Sequence, residues 1–158
     1  MNVMIAYFSW QGHTQKVVEA LASKIDAPTE RIEAVKESSM AVKGMKAYFG
    51  FKSDIKPCKT DLSKIDHLVV ATPVWARHPT PYINKYLSLL TNTQGKTFSV
   101  LVEMKESGAE KTIEKIRDVL GKKGMKFITA AVTVEEEVEA REFDQTVSKL
   151  AESIKKLK

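Results

Sequence analysis

Residues 3–14 read VMIAYFSWQGHT, and residues 65–87 read IDHLVVATPVWARHPTPYINKYL. Each stretch runs from a short apolar segment through a polar loop into a pattern with helical spacing. The first apolar run, Val3–Phe8, is continuous rather than alternating, so both of its faces must be covered, as in a buried strand. After it, Val17, Val18, Leu21, Ala22 and Ile25 recur at helical intervals between Thr14 and Ile25, and Pro28 follows as a stop. The second run, Leu68–Ala71, ends at Thr72 and Pro73. Pro79 and Pro81 then open a helix to Leu90, with Ile83, Leu87 and Leu90 on one face.

The same alternation extends in both directions. Arg31–Val35 alternates weakly and predicts a second strand; Phe98–Val102 and Phe127–Val134 predict a fourth and a fifth. Lys111–Leu120 turns Ile113, Ile116 and Leu120 inward and is closed by Gly121 and Gly124. The final helix carries Phe143, Val147, Leu150, Ile154 and Leu157, with Glu135–Glu137 and Glu139 as its solvated start. Met40–Ile55 fits neither template: Val42, Met45 and Phe49 share a helical face that Gly44 and Gly50 weaken. Strands alternating with helices, without linker or repeat, predict an α/β fold over residues 1–158. Right-handed crossovers favour a single doubly wound, five-stranded parallel sheet in the order 2-1-3-4-5, with helices on both faces.

In that order the chain reverses between strands one and three, and a ligand crevice lies at their carboxyl ends. Ser9, Gln11 and Thr14 bring side-chain donors there, Gly12 admits close backbone approach, and the new helix offers free N–H groups. Such a loop suits a phosphate; it equally suits an ordinary helix cap made by Ser9 or Thr14. Trp75, on the loop after strand three, either packs on a flat aromatic ligand or closes the core.

Together, YFSWQGHT and IDHLVVATPVWARHPTPYINKYL resemble the flavodoxin family, whose phosphate loop reads roughly T/S-x-T-G-x-T. The likeness extends over the chain in element order. It implies one non-covalent FMN, with Ser9, Trp10, Gln11, Gly12, His13 and Thr14 around the phosphate end, and Pro73, Val74, Trp75, Ala76 and Arg77 beside the ring. The third loop would contribute Glu103, Met104, Lys105 and Gly108. Familiar flavodoxins often carry a tyrosine on that loop, whereas residues 103–108 here read EMKESG. The second ring face is then open, or covered by Met104 or by the aromatic stretch Tyr48–Phe51. Familiar flavodoxins also tend to be acidic.

This chain has 25 Lys+Arg against 20 Asp+Glu, a formal charge of +5 and a sequence pI near 9.2. That balance suits an acidic redox partner protein or simply a solvated lysine-rich surface. No apolar run reaches the roughly 20 residues that span a bilayer, so no membrane insertion is expected. The apolar N-terminal strand does not read as a signal peptide, and the lone Cys58 excludes an internal disulfide, so the cytoplasm is the expected location.

Other readings fall away on specific residues. A phosphate-receiver domain needs aspartates where Ser9-Trp10 and Thr72-Pro73 stand. GxxxxGK[ST], GxGxxG and GxSxG are absent. His13, His67 and His78 show no metal-ligand spacing with Cys58, and no metal site is expected. KGMKAYFGFK (43–52) interleaves charge and aromatics as a nucleic-acid surface would, or forms an amphipathic flap; no nucleic acid is expected. The resemblance implies an electron carrier between a reductase and an acceptor. It also admits an NAD(P)H-dependent quinone or flavin oxidoreductase, or an interaction module that has lost its flavin. No side-chain acid, base or nucleophile is expected to be catalytic, because the flavin carries the chemistry.

Overall fold

The computed structural model describes residues 1–35 and 53–157. The sheet is five-stranded and parallel throughout, in the order β2-β1-β3-β4-β5. Its strands are β1 (Val3–Tyr7), β2 (Thr29–Arg31), β3 (His67–Pro73), β4 (Thr97–Met104) and β5 (Lys126–Val134). The described helices are α1 (His13–Ile25), α2 (Pro81–Leu89), α3 (Ala109–Lys122), α4 (Glu135–Glu139) and α5 (Asp144–Lys155). Every residue of β1 and β3 is buried, as the continuous apolar runs predict.

Alternate residues of these strands feed two separate cores. Met4, Ala6, Leu68 and Val70 pack with Ile83, Leu87, Ile116 and Leu120 under α2 and α3. Ile5, Tyr7, Val69 and Ala71 pack with Val17, Val18, Leu21, Val147, Leu150 and Ile154 under α1 and α5. Helices on both faces oblige β3 to be apolar on both sides. Thr80 caps α2, its Oγ1 accepting from the Ile83 N–H at 3.3 Å, and Pro81 occupies the first turn, where no N–H is needed.

Two expected elements are corrected. The second strand lies at Thr29–Arg31, earlier than the predicted Arg31–Val35. The Pro28 carbonyl already accepts from Ile5 N–H at 3.0 Å, so pairing starts immediately after the proline. It ends as Ile32 N–H reaches Tyr7 O at 2.7 Å, after which Ala34 leaves to bridge Ile55. The last helix is not continuous: Arg141, in the left-handed region at φ 59°, separates α4 from α5. Phe143 falls outside α5 but packs on the α1/α5 core. The ambiguous stretch Met40–Ile55, Tyr48–Phe51 included, lies outside the described residues except for Ser53–Ile55.

Candidate functional site

The carboxyl ends of β1, β3 and β4 converge on a cleft of about 290 Å³. Its first wall is the loop between β1 and α1. Gly12 stands at the N-cap of α1 with φ 92°, a left-handed conformation that costs a residue with a β-carbon about 1 kcal/mol or more. Open space lies where a Cβ would point, so backbone conformation, not crowding, favours glycine there. Ser9 Oγ accepts from Gln15 N–H at 3.2 Å, and Lys16 N–H bonds the Gly12 carbonyl at 3.1 Å. Among the described residues, the N–H groups of Gly12, His13 and Thr14 find no protein acceptor. Three amides without an acceptor among the described residues, at the positive end of a 13-residue helix, suit an anion, and they fit the phosphate of a flavin nucleotide.

The second wall is aromatic. Val74 N–H donates to the Glu103 carbonyl at 2.8 Å, tying the loop after β3 to the end of β4. Trp75 and His78 then exchange backbone hydrogen bonds at 3.0 and 2.9 Å. Between them Ala76 (φ 48°) and Arg77 (φ 64°) are both left-handed, the φ signature of a type I′ turn. That turn ordinarily takes glycine or asparagine, so Ala76-Arg77 stores strain beside the cleft. Trp75 is half-buried and touches Phe8, Trp10 and Tyr82 edge-on, at centroid distances of 5.6, 5.7 and 6.2 Å. It lines the cleft and also packs on the core.

The third wall is charged. Glu103, at the end of β4, is only 7% exposed and makes no side-chain hydrogen bond among the described residues. Burial pushes its carboxyl above the ordinary value, with His13 opposing and Glu135 adding to the rise. His13 Nε2 lies 3.5 Å from Glu139 Oε1. Lys105 is the basic member of this wall.

Of the residues singled out from sequence, the cleft gathers Ser9, Trp10, Gln11, His13, Thr14, Pro73, Val74, Trp75, Glu103 and Lys105. Gly12 shapes the loop between them. Arg77, Met104 and Gly108 instead border a second hollow of about 390 Å³ with Ser107–Lys111, and Ala76 is exposed at the turn's tip. Met104 thus does not cover the cleft. The second aromatic in it is Trp10, held against Trp75. Glu135 also lines the cleft, so it is not simply part of a solvated helix start, as the sequence suggests. α4 runs straight on from β5, with Glu139 3.5 Å from His13, and ends at the break at Arg141, which no local pattern in the sequence announces. His67 lies far from the cleft, at the amino end of β3, where its Nδ1 meets Thr97 Oγ1 at 2.8 Å.

A parallel 2-1-3-4-5 sheet with an amide-lined loop after β1 and an aromatic loop after β3 defines the flavodoxin-like class. Residues 2–139 match the family model of the NADPH-dependent FMN reductases. The chain belongs to that family: it is a flavodoxin-like, FMN-binding flavoprotein. No curated protein sequence matches it. Among solved structures, it is similar to a Lactobacillus acidophilus flavoprotein in complex with FMN, with TM-score 0.72, 18% identity, and coverage of 88% of this chain and 97% of that one. A Streptococcus pneumonia flavodoxin (TM-score 0.63, 16% identity) is covered end to end on both sides, at 100%. Flavodoxin 2 from Bacillus cereus shows the same full coverage, 100% of each chain, at TM-score 0.64 and 14% identity. These likenesses show the shared fold.

Proposed function

We propose that this chain is an FMN-dependent oxidoreductase that takes reducing equivalents from NADPH. Bound FMN supplies the hydride and electron chemistry. The amides of Gly12, His13 and Thr14 hold its phosphate. Trp10 and Trp75, fixed against each other, border the ring, and Val74 and Pro73 exclude water from its edge. Glu103 presents a buried carboxyl to the same space.

The observation that carries the reading is the second hollow. It is built on the same two loops as the cleft, the turn at Val74–Arg77 and the segment Glu103–Gly108. Arg77 and Lys111 border it at the N-terminus of the 14-residue α3, with Glu110 as its acidic member. Two cations and a helix N-terminus suit the phosphates of a dinucleotide reaching across the turn. The net charge of +5 supports a second reading, an electron carrier that docks an acidic protein.

Anaerobic mixing of the FMN-loaded protein with NADPH separates them. The reductase reading expects rapid, saturable loss of flavin absorbance, with the NADPH requirement raised several-fold in Arg77→Ala and Lys111→Ala. Sluggish, non-saturating bleaching would leave the carrier. A protein that retains no FMN after free flavin is removed by gel filtration would remove both.

A further inference from the structure

The charges facing the phosphate loop have the wrong sign. FMN brings a dianionic phosphate to residues 9–14. Glu135 and the buried Glu103 line the same space, and the exposed Glu139 reaches His13 at its rim, while Lys105 and His13 are the basic groups beside them. Like charges confined in a partly dehydrated cleft repel strongly, and natural sites compensate them with a cation.

The side chains supply a place for one. His13, Glu135 and Glu139 each direct a ligand atom to a common point, all of these atoms lying within 4.8 Å of one another. The His13 Nε2 to Glu139 Oε1 distance of 3.5 Å is close to the edge of a tetrahedral site, about 3.4 Å for metal–ligand bonds near 2.1 Å. Glu135 and Glu139 are one helical turn apart on α4 and so share a face. The exposed Glu139 can close the remaining gap by rotation. A second observation is independent of this trio. Glu103 is 7% exposed, its side chain makes no hydrogen bond among the described residues, and it lines the cleft together with His13 and Glu135. A buried carboxyl beside the trio adds to the negative potential that would draw in a cation.

We propose that His13, Glu135 and Glu139 form a three-ligand site for a borderline divalent cation of the zinc or manganese class, with its remaining position open to the cleft. One imidazole and two carboxylates select such ions over magnesium, which prefers an all-oxygen shell. In the flavin-bound protein the cation offsets the α4 carboxylates and gives the phosphate a positive neighbour. This last point rests on FMN occupying the cleft; the cation site itself does not.

Isothermal titration of the flavin-free full chain with zinc or manganese chloride tests the site directly. One cation per chain should bind at micromolar affinity or tighter, weakened at least tenfold in His13→Ala and in Glu139→Gln. Glu139 is solvent-exposed, so its variant should fold, and far-ultraviolet circular dichroism checks that both do. Absence of saturable binding up to millimolar metal, or binding unchanged in both variants, overturns the site. FMN titrations with and without the cation then test the coupling. Flavin affinity should rise about tenfold with metal, and Glu135→Gln/Glu139→Gln should abolish that rise. If the double variant binds FMN more tightly while metal has no effect on the parent chain, the carboxylates merely repel phosphate and the proposal fails. If FMN does not bind under any condition, the flavin reading falls and the metal titration still decides the site.

Discussion

Gly108 lies directly beneath Arg77: a β-carbon on Gly108 would come within 2.8 Å of the Arg77 Cα and 3.0 Å of Val74 Cγ1. The strained turn after β3 is thereby seated on the N-cap of α3, two loops locked backbone to backbone. Gly108 also has φ 100°, which a side chain resists by itself.

Gly108→Ala should therefore act twice, through strain and through displacement of the 74–77 turn. We expect a loss of stability of about 2 kcal/mol or more, with weaker FMN binding because Trp75 moves with the turn. Thermal unfolding and flavin titration of the same variant measure the two effects. An unchanged melting temperature would mean that the turn is not seated as described.

FMN should bind at micromolar affinity or tighter, about −8 kcal/mol, and riboflavin far more weakly. The amides of Gly12, His13 and Thr14, which find no acceptor among the described residues, motivate this, since riboflavin lacks the phosphate that would accept from them. Fluorescence quenching of each flavin reads both constants. Equal affinities would take the phosphate away from loop 9–14.

The two tryptophans should separate. Both tryptophans pack against the core, and Trp75 meets Phe8 and Tyr82 edge-on as well as Trp10. Trp75→Ala should reduce stability by roughly 3 kcal/mol and also weaken FMN binding. Trp10→Ala should weaken FMN by about 1 kcal/mol while leaving the melting temperature within a few degrees of the parent. Equal stability losses from both would show Trp10 to be a core residue.

His67 sets an acid limit on stability. Burial lowers its pKa to about 4, against 6.5 in an unfolded chain. Well above pH 6.5 both states are neutral there and the stability is complete. As pH falls from 6.5 towards 4, the unfolded chain takes up a proton that the folded chain refuses, so stability declines. The decline should reach roughly 3 kcal/mol, and His67→Asn should flatten that window while keeping a partner for Thr97. A parent chain whose denaturation midpoint does not move between those limits would show that His67 gains its proton freely.

Architecture was legible because doubly wound sheets write themselves in continuous apolar runs. Val3–Phe8 and Leu68–Ala71 read as buried strands by length and flanking turn residues, and their order places the crevice at their carboxyl ends. Ends of elements were less legible. The second strand was displaced because Pro28 hands its carbonyl to Ile5, a tertiary bond that no local alternation encodes. At the site, residue chemistry alone left Ser9–Thr14 open between a phosphate loop and a helix cap, and Trp75 between a ligand and the core; the resemblance to flavodoxins is what implied their FMN roles. Glu135 was not legible, since a run of glutamates looks the same whether it meets water or a cleft. The meeting of His13 with Glu139 spans most of the chain and has no spacing to recognise. Trp10 stands in the first loop, and its place against Trp75 depends on how two separate loops are aimed.

The break at Arg141 has an evolutionary consequence. Because α4 and α5 are separate, the residues that face the cleft and those that anchor the sheet can change independently. Substitutions at Val147, Leu150 or Ile154 would alter the mass of the second core and leave the charges by His13 in place. Substitutions at Glu135 or Glu139 would reset the charge of the cleft without touching a core side chain. A single uninterrupted helix would have made every such exchange a negotiation between stability and specificity; the left-handed residue between them lets lineages drift in one while holding the other fixed.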